Sequence, residues 1–281
     1  MSKFLSLKHL LLLAAVSLAC LSASAQSFAL YGGPVYVQRN FKPGGLNELT
    51  ESYNAYQQAN SAVGLASGLE PFSGSMSGLG WMIGAEGNAN KLAFAFEMDL
   101  VKLSQTRTSL FTTNWGRELV FEFDDFTFDA MMGAGEKAKI MGVFGGTFRN
   151  VAMNSYQVYP DGSRSIGSEY YFNGRYRGFQ AGLNVGAAFS LNLTKFAALR
   201  LKAVWQSDLL NFTPPEDAYL TALGDPKKVV LTSEYLPKDF GQYISDVNQG
   251  IYDFEENVIP TLFYGLQLSG ALVVRIPYSL D

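Results

Sequence analysis

Two residues in the chain could act as a general base near neutral pH or as a soft metal ligand, and these are His9 and Cys20. Imidazole is the side chain best suited to proton transfer at pH 7, and imidazole and thiolate are the usual ligands of zinc. Both residues lie in the first 25 positions, which we expect to be removed. The remaining sequence therefore excludes disulfides and sites of these kinds. It predicts no catalytic residue, no enzyme activity, no cofactor and no metal site.

Carboxylates are the other residues that could carry chemistry, and they are concentrated near the C-terminus. The segment Asp208–Ile259 contains ten acidic residues and three lysines. Carboxylate oxygens are the ligands that hard divalent cations prefer. The spacing of these acids matches no calcium loop, and no pair of acids marks a carboxylate-only catalytic site. A solvated acidic surface is the favoured interpretation.

A second set of charged residues occurs at isolated positions within apolar strands. Glu97 and Asp99 lie a few residues after the predicted turn at Asn90. Arg200 and Lys202 lie at a similar distance after the predicted turn that ends at Lys195. If these strands face each other in a closed sheet, the four charges meet inside it. The side chains that we expect to point inward are Glu86, Glu97, Asp99, Glu122, Arg149, Arg200, Lys202 and Arg275. A salt-bridged plug is favoured over a gated ion pathway.

The N-terminus has the features of a secretory signal peptide. Lys3 and Lys8 precede the apolar run Leu10–Leu21, and Ala23-Ser24-Ala25 supplies small residues for a cleavage site. The run is too short to favour a transmembrane anchor. Cys20 could be a lipidated cysteine, but this is the minority interpretation. We predict that residues 1–25 form a cleaved signal peptide and that residues 26–281 form one β-barrel.

The elements that must position the inward charges are β-strands with an alternating pattern. Leu92, Phe94, Phe96, Met98 and Leu100 alternate with small or acidic residues, so one face of the strand is apolar. Short and long connections also alternate along the chain, which is typical of transmembrane barrels. The predicted strands are Phe28–Gln38, Gly78–Asn88, Lys91–Ser104, Arg117–Met131, Lys139–Val158, Glu169–Leu191, Phe196–Ser207 and Pro260–Ile276.

Three details of this strand assignment remain open to test. In the fourth strand Phe121 and Phe123 have the opposite parity from Phe126 and Phe128, so we expect a β-bulge near Asp124 and Asp125. In the connections, Lys228–Tyr235 and Gly250–Glu255 are strand-like, which leaves ten strands possible. The first long loop contains Tyr53, Tyr56 and Phe72 and could be partly helical.

Composition is consistent with a membrane barrel. Charged residues make up 16% and aromatic residues 14% of the chain, whereas about a quarter of the residues in a soluble domain are charged. Loss of Lys3 and Lys8 with the signal peptide leaves 19 of the 21 basic residues against 25 acidic ones, a net charge near −6. This balance argues against nucleic acid as a partner.

From these features the chain resembles the small eight-stranded outer-membrane barrels, the OmpA-like transmembrane-domain superfamily with its outer membrane protein beta-barrel domain members. The resemblance implies an all-β, antiparallel, up-and-down transmembrane barrel with short periplasmic turns and long extracellular loops. It also implies export to the cell outer membrane of a Gram-negative bacterium, with outer-membrane lipid, lipopolysaccharide and the barrel-assembly machinery as partners. The catalytic barrels of this membrane resemble one another in using a histidine, which the mature chain lacks.

The sequence therefore favours a non-enzymatic barrel that acts structurally or by surface recognition, with an extracellular ligand as a possible partner. The long loops Arg39–Ser77 and Asp208–Ile259 suggest recognition, because long ordered loops are often functional. One alternative is a small pore or transporter for ions or small apolar solutes. Another is a soluble secreted or periplasmic β-barrel that binds an apolar ligand.

Overall fold

A computed structural model describes residues 27–41, 43–89, 91–165, 174–212, 239–249 and 265–278. Most of the ordered elements are long antiparallel strands. In chain order the elements are β1 (Ser27–Asn40), α1 (Gly44–Asn60), β2 (Leu65–Ser67), β3 (Ser75–Ala89), β4 (Leu92–Phe111), β5 (Gly116–Ala134), β6 (Ala138–Val158), β7 (Arg164–Ser165), β8 (Gly174–Asn192), β9 (Ala197–Phe212), α2 (Phe240–Asn248) and β10 (Gly265–Tyr278).

Eight long strands close into a ring in the order β1, β3, β4, β5, β6, β8, β9 and β10, and every neighbouring pair is antiparallel. The predicted eight-stranded, all-β, up-and-down barrel is thereby confirmed. The ten-strand alternative is wrong, because β9 pairs directly with β10 and leaves no place for another strand between them. The strand-like segments Lys228–Tyr235 and Gly250–Glu255 lie outside the described residues. The short strands β2 and β7 pair with β4 and β6 outside the ring.

The two ends of the barrel differ. At one end, which we call the turn end, short turns join β3 to β4, β5 to β6 and β8 to β9. The opposite end, the loop end, carries the long connections. The predicted strands leave Gln105–Gly116 as a loop at this end. The observed loop is shorter, because β4 continues to Phe111 and β5 begins at Gly116. After residue 101, β4 is rich in Ser, Thr and Gln, so the alternation of apolar residues that predicted the strand ends there. The strand itself continues, because threonine is favourable in β-strands.

The expected bulge in β5 is wrong. The strand keeps one register with β4 and with β6 from Gly116 to Ala134. Phe121 and Phe123 are fully buried inside the barrel, whereas Phe126 and Phe128 lie on its outer face. The aromatic residues change face because the interior is apolar near the loop end, while the outer face is apolar only nearer the turn end.

Helices α1 and α2 cover the loop end, and we call the two helices the cap. Leu46, Leu49 and Tyr53 recur at helical spacing on α1 and are at most 1% exposed. The Tyr53 ring packs against Phe240 of α2, and Phe41 packs against Phe121 and Phe123 beneath the cap. The first long loop is therefore partly helical, as predicted. No helix in the described part of the chain is long and apolar enough to span a membrane.

Candidate functional site

The barrel is apolar on the outside and charged on the inside. On β4 the apolar residues predicted to share one face do so, with Leu92 52% and Leu100 59% exposed, while Glu97 and Asp99 are buried. The same distribution holds on other strands of the ring. The exposed apolar residues of the outer face, here called the apolar belt, include Leu30, Ile83, Met132, Ile140, Phe144, Val185, Phe189, Leu201, Leu268, Leu272, Val274 and Ile276. A soluble barrel would show the reverse.

The architecture is that of the small outer-membrane β-barrels. The belt on β4 runs from Leu92 to Leu100, and above it the outward residues are Lys102, Ser104 and Thr106. Eight residue steps span about 27 Å along a strand, or about 20 Å in height at the usual tilt, close to the apolar band of such barrels. Trp81 pairs with Leu100 at this boundary, where interfacial aromatic residues belong.

Arg200 of β9 lies at the centre of the charges inside the barrel. Its Nη1 donates to Glu97 Oε2 at 2.6 Å and to the Tyr31 hydroxyl at 2.6 Å, and its Nη2 donates to Glu86 Oε2 at 3.0 Å. The guanidinium also lies over the Tyr31 ring, 4.6 Å from its centroid. Gly84 makes room for this ring, since a Cβ atom at that position would lie 2.4 Å from Tyr31 Cζ.

Lys202, two residues further along β9, binds three carboxylates. Its Nζ lies 2.9 Å from Glu97 Oε1, 2.8 Å from Asp99 Oδ2 and 2.6 Å from Asp129 Oδ2. All four side chains are at most 3% exposed. Charges in such a position are stable when they are paired, and here each ammonium donor meets a carboxylate.

Near the turn end, Glu86 also pairs with two further cations, Arg275 and Lys139. Its Oε1 lies 2.9 Å from Arg275 Nε and 3.3 Å from Lys139 Nζ, and Lys139 also donates to Asn88 Oδ1 at 2.8 Å. We call the eight charged residues of these contacts the lumen network: Glu86, Glu97, Asp99, Asp129, Lys139, Arg200, Lys202 and Arg275. The network holds four carboxylates and four cations, so its formal charges cancel.

A second cluster lies toward the loop end. Asp125 Oδ1 accepts a bond from Arg149 Nε at 2.7 Å, and Asp125 Oδ2 pairs with Arg39. Arg39 also donates to Gln267, and Arg149 donates to Gln206 at 3.0 Å. A polar chain joins the two clusters. Gln206 donates to Thr147, Thr147 donates to Asn184, and Asn184 donates to Asp129.

The structure brings together seven of the eight side chains that we expected inside. Glu86, Glu97, Asp99, Arg200, Lys202 and Arg275 lie in the lumen network, and Arg149 lies in the second cluster. Glu122 does not lie inside. It is on the outer face of β5, where it pairs with Lys102 at 2.8 Å and accepts a bond from Asn154 at 2.9 Å. The expected bulge had placed Glu122 on the wrong face.

Five further residues of these clusters were not expected inside the barrel: Arg39, Asp125, Asp129, Lys139 and Tyr31. A continuous strand from Gly116 to Ala134 would have placed Asp125 and Asp129 on the face of Phe123. Lys139 shares its face with Met141 and Val143, but Gly145-Gly146 obscured the alternation of β6. The sequence gives the charges of these residues, but it did not predict which face of the strand each side chain occupies.

The loop end of the lumen is filled by apolar side chains. There lie the Phe41, Phe121 and Phe123 rings and then the cap. A second apolar group packs inside the wall beside the lumen network, with Ala93, Ala95, Met131, Met141, Val143, Ala188 and Val204 as its members. In the described ranges, no group of three or more acidic, histidine or cysteine side chains could hold a metal ion. The charges inside the barrel are thus paired with one another and covered at the loop end.

No family model matches the sequence, and no curated protein matches it. Among solved structures, the chain is similar to Ail, the attachment invasion locus protein of Yersinia pestis, in complex with the heparin analogue sucrose octasulfate. That alignment has 8% identity and a TM-score of 0.35, and it covers 89% of this chain and 98% of Ail. A second structure of Ail aligns with 7% identity and a TM-score of 0.34, over 90% and 99% of the two chains. A likeness this distant assigns no function.

Proposed function

We propose that this chain is a non-enzymatic outer-membrane β-barrel whose lumen is a structural plug and whose loop end recognises an external ligand. The observation that carries the proposal is the inverted distribution of side chains. Ile140 and Ile276 are 70% and 71% exposed on the outer wall, whereas Arg200 and Glu97 are at most 2% exposed inside. Hydrocarbon is the solvent in which such a wall is stable.

The proposal includes the route to the membrane. Residues 1–25 act as a cleaved signal peptide, and the remainder inserts through the barrel-assembly machinery. The turn end then faces the periplasm and the loop end faces the cell exterior, as in barrels with short and long connections. Outer-membrane lipid and lipopolysaccharide contact the apolar belt and its polar upper edge.

The filled lumen supports a structural role over conduction. An eight-stranded ring leaves an interior that side chains just fill. Here the lumen network pairs every one of its charges, and the Phe41, Phe121 and Phe123 rings close the lumen at the loop end. An open water path would require several of these contacts to break together.

The cap supports the recognition role. It is a packed unit, with Tyr53 donating to or accepting from Ser109 at 3.3 Å and with Asn47 and Asn54 bonded to the backbone of Phe72 and Leu69. Its outer surface on α1 presents Glu51, Gln58 and Asn60 to solvent. A fixed surface at the exterior is pre-organised to bind, since ordering has already occurred on folding.

Location is tested first. The purified chain, refolded in detergent, should show sheet by circular dichroism and should migrate faster on a gel before boiling than after it. In vesicles it should resist extraction by carbonate. A chain that is monomeric and stable without detergent would overturn the membrane location and favour a soluble barrel that binds an apolar ligand.

Conduction is tested by planar-bilayer recording of the pure barrel. We expect no steady conductance from the wild-type chain. A steady conductance that changes in Glu97→Gln or Arg200→Gln would overturn the plugged lumen and establish the small pore or transporter instead.

Recognition is tested by binding of the detergent-solubilised chain to an array of glycans and matrix proteins. Binding that Glu51→Lys/Gln58→Lys abolishes supports the surface role, and an array without any binding contradicts it.

A further inference from the structure

A groove of about 750 Å³ runs across the outer wall of the barrel between β4 and β8. Two rows of paired residues form it. Phe96, Ala130, Phe144 and Val185 are neighbours in one row, and Phe94, Met132 and Gly142 are neighbours in the next. Phe96 and Phe144 stand on both sides of Ala130, and Met132 and Phe144 stand beside Gly142, so these two small residues lie at the bottom of the groove.

The backbone conformation does not require glycine at position 142. A Cβ atom at this position would meet only the carbonyl oxygen of Met132, at 3.8 Å, which is ordinary van der Waals contact. The space above Gly142 is therefore open, and a large side chain could enter it without moving the strands. Its smallness leaves an apolar depression beside the larger side chains of Met132 and Phe144.

Two lysines lie at the turn end of the same strands. Lys91 precedes β4 and Lys137 precedes β6, and both are exposed. The two turns touch, because Gly135 N donates to the Lys91 carbonyl at 3.1 Å. Phe94 follows Lys91 by three residues, or about 10 Å along the strand, so the groove begins just above the lysines. The nearby carboxylate of Glu136 is also exposed, which leaves one net positive charge at these turns.

We propose that the groove and these two lysines form a site for one anionic phospholipid. An acyl chain lies over Ala130 and Gly142, and the headgroup phosphate lies between the ammonium groups of Lys91 and Lys137. The inference rests on the proposed membrane location, in which the turn end meets the inner leaflet. Phospholipid is favoured over lipopolysaccharide because the charges are at the turn end, where the inner leaflet places phosphate.

The test compares lipids retained by the full-length chain. The chain is inserted into vesicles containing equal amounts of phosphatidylglycerol and phosphatidylcholine, extracted in mild detergent, and examined by native mass spectrometry. We expect one phosphatidylglycerol to be retained in preference to phosphatidylcholine. Each lysine near a membrane surface contributes about a fivefold preference for an anionic headgroup, so Lys91→Gln/Lys137→Gln should lower the preference by at least tenfold. Glu136→Gln should raise it.

A second pair of variants tests the groove itself. Gly142→Phe fills the depression and should abolish retention of the lipid, whatever its headgroup. Gly146→Phe is the matched control, because Gly146 is also on the outer face, lies outside the groove lining, and would place a Cβ no closer than 3.4 Å to its neighbours. This control should retain lipid as the wild-type chain does.

The outcomes separate this inference from the proposed function. A chain that inserts and is heat-modifiable but retains no phosphatidylglycerol overturns the lipid site alone. Retention that survives both Lys91→Gln/Lys137→Gln and Gly142→Phe also overturns it. A chain that does not insert into vesicles at all contradicts the membrane location first.

Discussion

Arg200 and Glu97 form an ion pair across the barrel, with Arg200 Nη1 2.6 Å from Glu97 Oε2, although the two residues are 103 positions apart in the chain. They stand on β9 and β4, which are opposite each other in the ring of eight. Because Arg200 also binds Tyr31 on β1 and Glu86 on β3, one guanidinium links four strands. The pair therefore connects walls that share no backbone hydrogen bond.

Removal of this guanidinium should destabilise the barrel strongly. In Arg200→Gln the carboxylates of Glu86 and Glu97 lose a buried partner, and such a loss costs about 3–5 kcal/mol. We expect the urea midpoint of the refolded barrel in detergent to fall accordingly. The double variant Glu97→Gln/Arg200→Gln should lose less than the sum of the two single variants.

The control for this prediction is the ion pair between Lys102 and Glu122 on the outer face. The Lys102 side chain is 58% exposed, so Lys102→Gln should change the free energy of unfolding by about 1 kcal/mol or less. If both substitutions had the same effect, the lumen network would have no special part in stability.

Two glycines in the wall should respond in opposite ways to alanine. At Gly84 a Cβ would lie 2.4 Å from both Tyr31 Cζ and the Phe96 carbonyl oxygen, so Gly84→Ala should cost about 1–3 kcal/mol. Gly142→Ala meets nothing closer than 3.8 Å and should be neutral or stabilising by up to about 1 kcal/mol. Urea unfolding measures both, and equal losses would contradict the assigned faces.

An arginine on the apolar belt should cost more than one above it. Leu272 is exposed on β10 near the middle of the belt, and Leu272→Arg should cost about 2–4 kcal/mol in a bilayer. Leu110→Arg, at an exposed position of β4 beyond the belt, should fold into vesicles as the wild-type chain does. Refolding yield in vesicles, read from the gel shift on boiling, distinguishes them. In a soluble barrel both variants would be tolerated.

The cap should loosen without unfolding the ring. Leu49 is fully buried, so Leu49→Ala should weaken the packing of α1 by about 2–5 kcal/mol. Hydrogen exchange should then be faster at the amides of α1, while those of Leu92–Leu100 in β4 keep their protection. Gln58→Ala, on the exposed side of the helix, is the control. Faster exchange throughout the barrel would show that the cap and ring unfold as one unit.

The alternation of β4 and β9 made most of the ring predictable. Glu97, Asp99, Arg200 and Lys202 interrupt apolar strands at regular intervals, and only a barrel with an apolar exterior places all four inside. Near the loop end the same logic failed. There the interior becomes apolar, so Phe121 and Phe123 point inward and reverse the expected parity.

The meeting of Glu97 and Asp99 with Arg200 and Lys202 was predicted from the sequence, but the other contacts between distant strands could not be. Whether Glu86 meets Arg275, Lys139 or Arg200 depends on the stagger of the strands, which turn lengths alone do not determine. The face of Glu122 depended on a bulge that the register of β5 does not contain. Of the cap, only α1 was expected, as a partly helical loop with Tyr53, Tyr56 and Phe72. Helix α2 lies in the acidic segment Asp208–Ile259 and was not expected, because short helices are stabilised by packing more than by their own residues.

Apart from Arg39 and Arg117, the acids and bases of the interior come from different halves of the chain. The carboxylates Glu86, Glu97, Asp99, Asp125 and Asp129 lie on β3, β4 and β5, whereas Lys139, Arg149, Arg200, Lys202 and Arg275 lie on β6, β9 and β10. Without the seam between β1 and β10, the sheet would thus have an excess of acidic side chains on the inner face of β3 to β5 and an excess of basic ones on that of β6 to β10. Attraction between these faces favours closure with the correct partner edge, and a truncated sheet keeps an unneutralised acidic face that retains water.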